Sequence, residues 1–515
     1  MKSRTLICLI GIAFFAITIP AQLAGQQNRY KFIDIPTLGG PAAYGNVDSP
    51  EYAQFINNPG VIVGGSDTAL HDPNAPNCIN QDCFLTHGFR WQDGVLTDLG
   101  TLPGGDFSHA ASVNARGWAA GGSNTAVIDP LIGALAEHAV LWKDNEPIDL
   151  GTLGSGLESA ALYVNNAAEV VGFSTYDTTP ANSFVGAHTH AFIWDKGAMR
   201  DLETLGGPDS SPSGGCDNQR SGLVAGQSNI NSTPNNTTGV PTQHAFLWQN
   251  GAMSDIPTLG GTFAFAQCAN NRAQVIGQSN LTGDSGCDGS AFDGSCFQRA
   301  FLWDHGMLTD LGALGGTFSS AFWLNNAGEV VGGATTTGDE EFHATLWKSG
   351  RITDLNKDGD GFSIANSINS SHQIIGNTFN CDTGYFTTVV WEENGSVTDL
   401  NAAIPANSSL FLVEADNIND RGEIVGRGLP PGCDNLDLCG HVFLLVPCAA
   451  GQGCEGNDNV SRHAESPSIT MTATQRREMS KAQSAYRKCL GSSPRSTDAF
   501  PPEAFPIKPS DKSGT

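Results

Sequence analysis

The sequence predicts an all-β protein, a β-propeller built from four-stranded blades. Glycine and proline account for 62 and 26 of the 515 residues, and this much glycine disfavours long helices because each one costs about 1 kcal/mol relative to alanine. Seven of the nine tryptophans end one recurring phrase. Each copy of the repeat holds four short apolar segments, and a period of this length with four strands per repeat is typical of propeller blades.

The recurring phrase has the form His-Ala-Phe-Leu-Trp and predicts the third strand of each blade, strand c. Its tryptophans are Trp91, Trp142, Trp194, Trp248, Trp303, Trp347 and Trp391, spaced 44 to 55 residues apart, and an eighth copy, HVFLL, begins at His441. The phrase is apolar on both faces of an extended chain. Strands that are buried on both faces belong to stacked sheets.

Three further segments complete each repeat. A tight turn such as DG, NG or HG follows the phrase and leads into a short strand d that ends in Asp-Leu or Asp-Ile. Later in the repeat, an Asn-rich turn separates strand a from a β-branched strand b that ends in glycine, as in VNNAAEVVG and LNNAGEVVG. The order a, b, c, d is typical of an antiparallel meander.

The two ends of the repeat region predict that the blades close into a ring. Arg29 to Gly40 read as a strand d with its following loop, and the last repeat ends after its strand c at HVFLLVP. We therefore expect eight blades, with the N-terminal strand completing the C-terminal blade and removing exposed sheet edges. Seven blades, with one degenerate repeat outside the ring, and a β-solenoid are the alternatives.

The charge excludes some classes of partner. The chain carries 26 Lys and Arg against 52 Asp and Glu, a formal net charge of −26, and residues 25–447 alone carry −30. Such a surface repels nucleic-acid phosphates and anionic lipids. We expect a soluble monomer that binds no nucleic acid.

The two ends of the chain differ from the repeats. Lys2 and Arg4 precede an apolar run from Leu6 to Ile19 and small residues near Ala24, the layout of a secretory signal peptide. We assign 1–24 to this signal, which leaves no membrane span after cleavage, although a retained anchor is the alternative. Residues 448–515 are rich in Ser and Pro, and we expect a largely disordered tail with one short helix.

The cysteines predict disulfides in an oxidising compartment. Apart from Cys8 in the signal, twelve remain, an even number. Four pairs are close in sequence: Cys78 with Cys83, Cys287 with Cys296, Cys433 with Cys439, and Cys448 with Cys454. Structural zinc is the alternative, but the spacing is irregular and no CxxC pair occurs. The pairing of Cys381 and Cys489 stays open.

Two residue types recur in nearly every repeat and invite a catalytic interpretation. Histidine begins strand c at His87, His138, His190, His244, His343 and His441, and aspartate ends strand d at Asp34, Asp98, Asp149, Asp201, Asp255, Asp310, Asp354 and Asp399. A catalytic site needs different groups that converge on one point. We therefore predict structural roles, the His fixing the start of strand c and the Asp accepting loop N–H groups.

The phrases DLGTLGG, NNAGEVVG and HAFLW resemble the HAF family of probable extracellular repeat proteins, over residues 30–447. The resemblance implies an exported bacterial protein with propeller-like repeats, and no established activity. The chain departs from the pattern at Arg299, which replaces a His, and at Thr388 and Val389, which replace His-Ala. Cys216 and Cys268 occupy similar positions in adjacent repeats, so we also expect a disulfide between blades four and five.

Strand alternation places the b–c and d–a loops on one face of the ring, and we expect binding there because variable loops on a rigid scaffold commonly carry it. One of these loops, DLNKDGDG, places Asp354, Asn356, Asp358 and Asp360 at alternate positions. Oxygen ligands with this spacing predict a calcium loop. Phe362 and Ala365 stand where an EF-hand carries oxygen ligands.

No nucleophile, zinc-protease or nucleotide-binding motif occurs in a convincing context. We therefore expect a secreted binding module that is not an enzyme and that recognises a carbohydrate polymer, a cell-surface component or a protein. An extracellular glycan hydrolase or lyase and a purely structural surface protein are the alternatives. Non-repeated carboxylates clustered on the loop face would favour the enzyme.

Overall fold

The repeat region folds as short antiparallel strands, and the all-β prediction is confirmed. The computed structural model describes residues 29–45, 54–73, 75, 78, 82–181, 185–216, 219–236, 240–282, 298–356, 361–380, 385–448 and 454. The predicted signal, 1–24, and nearly all of the predicted tail, 448–515, lie outside these ranges. No helix in the described part is long and apolar enough to span a membrane.

The strands form eight groups of four, which we call units 1 to 8, and each unit begins with its strand a. Unit 1 comprises β2 (Gly39–Tyr44), β3 (Ile62–His71), β4 (Phe84–Gln92) and β5 (Val95–Asp98). Unit 2 comprises β6 (Ser108–Val113), β7 (Ala119–Asp129), β8 (Ala134–Lys143) and β9 (Glu146–Asp149). Unit 3 comprises β10 (Ser159–Val164), β11 (Val170–Pro180), β12 (Ala187–Asp195) and β13 (Ala198–Asp201). Unit 4 comprises β14 (Ser210–Pro212), β15 (Leu223–Pro234), β16 (Pro241–Gln249) and β17 (Ala252–Ile256).

The second half repeats this order. Unit 5 comprises β18 (Gly260–Ala269), β19 (Val275–Leu281), β20 (Gln298–Asp304) and β21 (Met307–Asp310). Unit 6 comprises β22 (Gly315–Leu324), β23 (Val330–Thr336), a 3-10 turn (Thr337–Asp339), β24 (Phe342–Lys348) and β25 (Arg351–Asp354). Unit 7 comprises β26 (Phe362–Ile368), β27 (Ile374–Asn380), β28 (Tyr385–Trp391) and β29 (Val397–Asp399). Unit 8 comprises β30 (Phe411–Ile418), β31 (Ile424–Leu429), the helix α1 (Leu436–Cys439) and β32 (His441–Pro447).

The fourth strand of unit 8 comes from the other end of the chain. β1 (Tyr30–Asp34) pairs antiparallel with β32, with Tyr30 opposite Pro447 and Asp34 opposite Phe443. Within each unit the strands pair in the order a, b, c, d. Single parallel pairs, Gln243 with Phe263 and Phe342 with Phe362, join β16 to β18 and β24 to β26.

The glycine of strand b recurs because strand a passes too close for a side chain. Strand a carries a β-bulge in most units, between Ala161 and Tyr163 in unit 3, for example. A Cβ on Gly172 would overlap the carbonyl oxygen of Ala160 and approach the ring of Phe192. Phe192, the aromatic residue of the recurring phrase, is fully buried. The glycine and the phenylalanine are therefore two halves of one packing arrangement.

Serines on strand a join five of the units to the unit before them. The backbone N–H of Ala139 in unit 2 donates to Oγ of Ser159 in unit 3 at 2.9 Å. The same bond joins Gly88 to Ser108, Ala191 to Ser210, Ala300 to Ser319 and Ala344 to Ser363. These serines satisfy buried donors between neighbouring sheets.

The asparagine turns between strands a and b form a second set of links. Oδ1 of Asn114 accepts the N–H groups of Arg116 and Trp118, while its Nδ2 donates to the carbonyl of Asn165 at 3.0 Å. The same donation joins Asn57 to Asn114, Asn270 to Asn325, Asn325 to Asn369, Asn369 to Asn419 and Asn419 to Asn57. Around unit 4, Asn165 donates to the carbonyl of Arg220, and the N–H of Gln219 donates to Asn271. The bonds thus lead through the units in order and from unit 8 to unit 1.

Candidate functional site

The recurring His and Asp side chains pair with each other in every unit that has both. In six units, Nδ1 of the histidine lies 2.8 to 3.0 Å from a carboxylate oxygen of the aspartate: His87 with Asp98, His138 with Asp149, His190 with Asp201, His244 with Asp255, His343 with Asp354, and His441 with Asp34. The same carboxylates accept loop N–H groups, as Asp149 does from Gly151 at 2.8 Å. The pairs fasten the start of strand c to the end of strand d.

Unit 7 shows what the histidine contributes. Burial alone would raise the pKa of Asp149, but the hydrogen bonds from His138 and Gly151 outweigh it and lower that pKa. In unit 7 Thr388 replaces the histidine, and burial raises the pKa of Asp399 despite its two loop hydrogen bonds. The histidine therefore stabilises the carboxylate of its partner. In unit 5, Arg299 occupies the histidine position and donates to the carbonyl of Gly316 at 3.1 Å.

The predicted calcium loop is described only at its start. Asp354 pairs with His343 and accepts the N–H of Asn356 at 2.8 Å, as the repeated aspartates do. Asp358 and Asp360 lie outside the described residues. Among the described residues no cluster of three His, Cys, Asp or Glu side chains is placed to hold a metal ion, so calcium remains a prediction.

The described residues form four disulfides. They join Cys78 to Cys83, Cys433 to Cys439, Cys448 to Cys454, and, between units 4 and 5, Cys216 to Cys268. Cys287 and Cys296 lie outside the described residues, as do Cys381 and Cys489. Disulfides at this density indicate an oxidising, extracellular compartment.

A cluster of ionisable side chains that do not recur lies where unit 8 meets unit 1. We call it the junction cluster, and its members are Tyr44, Asp67, Asp82, Glu414, Arg427 and Asp437. Asp67 follows Ser66 on β3 and is fully buried. It accepts the backbone N–H of Ala42 at 2.9 Å and the hydroxyl of Thr86 at 3.0 Å. The same position holds Asn124, Thr175 and Asn229 in units 2 to 4, so this carboxyl serves no repeated structural purpose.

Asp67 holds a proton close to neutral pH, and Asp82 is its hydrogen-bond partner. Burial, and after it the hydrogen bond and charge of Asp82, raise the pKa of Asp67 to about 7. Oδ2 of Asp82 is buried. When both carboxyls are ionised, no described group donates a hydrogen bond to this oxygen. Two carboxylates can hydrogen-bond only when one is protonated. A proton on Asp67 that is hydrogen-bonded to Asp82 explains both the raised pKa of Asp67 and the burial of Oδ2 of Asp82.

The other part of the junction cluster is an arginine that lies between two acidic residues. Arg427 is buried and donates to Glu414 at 2.8 Å and to Asp437 at 3.2 Å. Burial alone would lower the pKa of Arg427, but Glu414 and Asp437 outweigh it and raise that pKa. The phenol of Tyr44 donates to the carbonyl of Asp437 at 3.1 Å and lies 3.4 Å from Asp67. Tyr44 thus connects Asp67 to Asp437, whose side chain is 44% exposed.

Two disulfide-stapled loops deliver this arrangement. Asp82 lies in the b–c loop of unit 1, one residue before Cys83, which is bonded to Cys78. Asp437 lies on α1 in the b–c loop of unit 8, between the bonded Cys433 and Cys439. Both staples restrict loops on the face that the sequence predicts for binding. The sequence singles out these loops but misses Asp67, Asp82 and Asp437, which an alignment of the units with one another would have shown as departures from the repeat.

A second acid pair lies between units 2 and 3. Glu158 is buried and accepts the N–H of Glu137 at 2.9 Å. Burial, with a further contribution from its hydrogen bond to Asp129, raises the pKa of Glu158 to about 7. Asp209 occupies the same position one unit later and accepts instead from Thr189 and from Nδ1 of His188, at 3.0 and 2.9 Å. The like-charged neighbour distinguishes Glu158 from Asp209.

The b–c hairpins are unequal around the face. In units 1 to 4, strand b is 10 to 12 residues long and its last residues are largely exposed, whereas in units 5 to 8 strand b is 6 or 7 residues long. Large apolar side chains are exposed on the longer hairpins, namely Leu70, Val127, Ile128 and Ile132. Units 1 to 4 thus form a raised, partly apolar rim.

No family model matches the chain, and it matches no curated protein. Solved structures similar to it include the β-propeller domain of the Trilobed protease from Pyrococcus furiosus, with 8% identity over 66% of this chain and 94% of that chain and a TM-score of 0.39. Dipeptidyl peptidase 4 from Porphyromonas gingivalis is similar with 10% identity, over 75% of this chain and 64% of that one, with a TM-score of 0.40. A gluconolactonase from Xanthomonas campestris is similar with 11% identity, over 60% and 88% of the two chains, with a TM-score of 0.27.

These similarities correct one expectation. The sequence led us to expect a protein that is not an enzyme, and this expectation is wrong, since the similar structures are a protease domain, a peptidase and a lactonase. Similarity of this degree names no reaction and no catalytic residue, so the chemistry has to be argued from this chain's own groups. The resemblance to the HAF repeat family stays a prediction.

Proposed function

We propose that this chain is an exported polysaccharide hydrolase built on a closed, eight-bladed β-propeller, with its active site at the junction cluster. Eight blades are supported by the eight four-stranded units. Closure is supported by the pairing of β1 with β32 and by the donation from Asn419 to Asn57. Strand a then lies innermost, because the asparagine turns at its end contact one another around the whole ring. Export rests on the predicted signal and on the disulfides.

The observation that carries the proposed activity is the pair of disulfide-stapled loops, which bring Asp82 and Asp437 close to Tyr44. Asp67, beside Asp82, retains a proton close to neutral pH, and a general acid must hold a proton at its working pH. Asp437 is partly exposed and accepts a hydrogen bond from Arg427 at 3.2 Å. Titratable groups whose environments drive their protonation apart mark the acid and the base of a site.

Hydrolysis of a glycosidic bond uses this combination of groups. One carboxylic acid protonates the leaving oxygen, and a second carboxylate either attacks the sugar or activates water. We assign the first role to the pair of Asp67 and Asp82, in which Asp67 holds the proton, and the second role to Asp437. Tyr44 orients Asp437 through the backbone carbonyl. The net charge of −30 on residues 25–447 disfavours acidic polymers, so the proposed substrate is a neutral polysaccharide.

The test is hydrolysis of neutral polysaccharides by the full secreted chain. We expect release of reducing ends from a member of a panel of cellulose, xylan and β-1,3-glucan, with alginate and pectin as acidic counterparts. The rate should fall as the pH rises past about 7, because the pair then loses its proton. Asp82→Asn and Asp437→Asn should each lower the rate by at least two orders of magnitude, in line with typical acid–base contributions.

The control is Asp93→Asn, which removes the same charge from an exposed c–d turn on the opposite face. This variant should keep the wild-type rate. Full activity of Asp82→Asn would remove Asp82 from the mechanism, and an absence of hydrolysis across the panel would remove the proposed activity.

A second candidate function, attachment to a surface or to a protein, is favoured by the raised rim. Val127 and Ile128 are 50% and 64% exposed on the hairpin of unit 2. Exposed apolar side chains in contiguous patches usually mark a contact surface. Co-sedimentation with insoluble polymer should weaken in a Val127→Ser, Ile128→Ser variant. Unchanged co-sedimentation would remove the rim from this role.

A further inference from the structure

Unit 2 departs from the other units at the end of its asparagine turn. In five units the fifth residue of this turn is a Glu or Gln that accepts a hydrogen bond from the turn asparagine: Glu169, Gln274, Glu329, Gln373 and Glu423. Trp118 holds this position in unit 2, while Asn114 keeps the bonds that shape the turn. The substitution therefore removes a polar group and leaves the turn intact.

In other units, this acidic residue neutralises cations from two places in the repeat. In unit 8, Arg421, the third residue of the turn, donates to Glu423 at 2.6 Å. In unit 6, Lys348, the residue that follows the strand c tryptophan, pairs with Glu329 at 2.6 Å. Each cation thus faces a carboxylate that cancels its charge.

Unit 2 carries both cations and lacks the carboxylate. Arg116 holds the position of Arg421, and Lys143 holds that of Lys348. Cζ of Arg116 and Nζ of Lys143 lie 5.1 and 4.8 Å from the centre of the Trp118 ring. An aromatic ring attracts a cation at this distance, and it leaves the positive charge available to a further partner because the ring carries no net charge.

A third cation reaches the same turn from unit 1. Arg90 precedes Trp91 on β4, and a Cβ on Gly117 would lie 3.1 Å from Nη2 of Arg90. The other seven units have an aliphatic residue at the position of Arg90, namely Leu141, Ile193, Leu247, Leu302, Leu346, Val390 and Leu444. Arg90 and Trp118 are therefore two departures from the repeat that meet at one place.

The three cations are accessible, and the indole beneath them is fixed. Arg116 and Lys143 are exposed, whereas Trp118 is partly buried and packs against the core between units 2 and 3. The nearby c–d turns hold exposed acidic residues, and the charge of one of them, Asp93, acts on Arg90. Within the described ranges, however, none of the three cations forms an ion pair with an acidic side chain.

We infer that Arg90, Arg116 and Lys143, arranged around Trp118, bind a tetrahedral oxyanion, that is, a phosphate or sulfate group. Such a group offers at least three acceptor oxygens, one for each cation, whereas a carboxylate offers two. Guanidinium and ammonium groups are the usual donors to these oxygens. At physiological ionic strength exposed charges more than about 8 Å away are largely screened, so the local cations outweigh the net negative charge of the repeat region.

This site is independent of the proposed hydrolase. It lies at the a–b and c–d turns, on the face opposite the stapled loops, and it contains no residue of the junction cluster. Binding by a chain that hydrolyses no neutral polysaccharide would uphold the oxyanion site and remove only the hydrolase.

Calorimetric titration of the full secreted chain with sodium phosphate, sodium sulfate and sodium acetate, at one ionic strength, tests the inference. Phosphate and sulfate should bind, and acetate should bind about tenfold more weakly or less, because it leaves one cation without an acceptor. Equal affinity for acetate, or no heat with phosphate and sulfate, would overturn the inference.

Variants locate the binding. Arg116→Gln and Lys143→Gln alter exposed side chains and should each lower the affinity for phosphate about tenfold. Trp118→Glu restores the acidic residue of the other units and should abolish binding, because the cations then pair with it. The matched control is Arg200→Gln, since Arg200 also lies 5.1 Å from an indole, that of Trp248, but outside the cluster. Wild-type affinity in Arg116→Gln or Lys143→Gln would overturn the site, whether or not Trp118→Glu folds.

Retention on immobilised dextran sulfate, with dextran as the uncharged counterpart, distinguishes the two sources of the group. Retention on dextran sulfate alone, reduced in Arg116→Gln and not in Arg200→Gln, would assign the site to oxyanions carried by a polymer. Calorimetric binding without such retention would assign it to the free ions. Retention reduced equally in both variants would indicate a general charge effect and overturn the polymer assignment.

Discussion

At the scale of single residues, the neighbours of a carboxyl group decide its role in this protein. Asp149 faces a histidine and a loop N–H and is a structural carboxylate. Asp67 faces another carboxyl and retains a proton close to neutral pH. Both are aspartates on β-strands near the same face, so residue type alone does not distinguish them. The identity of the partner, which is distant in the sequence or lies in a loop, makes the difference.

The protonated pair makes stability depend on pH. The unfolded chain loses the Asp67 proton near its ordinary pKa of about 4, whereas the native chain holds it to about 7. The native state therefore binds more protons between these values, and the free energy of unfolding should fall as the pH rises from about 4 to about 7 and then level off. Asp67→Asn should flatten this decline, which for a shift of three pKa units is at most about 4 kcal/mol.

Urea unfolding at several pH values would measure the effect. Asp93→Asn is again the matched control, since Asp93 is exposed and should leave the decline unchanged. The pKa of Glu158 is also raised, so this residue should preserve part of the decline in the free energy of unfolding in both variants. If the free energy of unfolding declined equally with pH in wild type and in Asp67→Asn, the raised pKa of Asp67 would be contradicted.

At the scale of strands and turns, the repeat consists largely of bonds between units. The sequence predicts strands b, c and d closely because their apolar pattern and hairpin turns are local signals. It does not reveal that the serine of strand a receives the N–H of the preceding unit, or that the turn asparagine donates to the next one. Both side chains also suit isolated turns, so their pattern in the chain does not show a partner about 20 or 50 residues away.

Ser159→Ala tests the serine link. The change leaves the buried N–H of Ala139 and the carbonyl of Gly151 without the hydroxyl that now bonds both, at 2.9 and 2.7 Å. Unsatisfied buried groups of this kind cost about 1 to 3 kcal/mol. We expect a loss of that size in the free energy of unfolding, measured with urea. The exposed Ser396→Ala serves as the control, and a loss below that of the control would contradict the role of Ser159.

Strand a of unit 4 shows where local pattern is insufficient. The prolines and glycines around Ser210 to Gly215 weaken the strand signal in the sequence. They do not indicate which units the chain contacts after β14 ends at Pro212. Its destination follows from the positions of Cys268, Phe322 and Gln54, which belong to three other units. The disulfide between adjacent repeats is the one part of this arrangement that the sequence predicts.

At the scale of the whole molecule, the pairing of β1 with β32 joins the two ends of the repeat region. Removal of residues 29–35 would expose the edge of β32, and an exposed edge strand is a template for aggregation. We expect the shortened chain to unfold at a lower temperature and to associate, as measured by thermal denaturation and light scattering. Lys31→Ala, which alters an exposed side chain of β1, should behave as wild type. A monomeric shortened chain with an unchanged midpoint would contradict closure by β1.

The sequence by itself determined the all-β class, the four-stranded unit and the acidity of the repeat region, because each of these is a periodic or additive property of the chain. Only the tertiary structure decided which carboxyls face one another. Asp82 and Asp437 meet around Tyr44 because two stapled loops from opposite ends of the repeat region become neighbours when unit 8 packs beside unit 1. Such proximity has no periodic signal, and neither has the burial of Asp67 beside Asp82 that raises the pKa of Asp67.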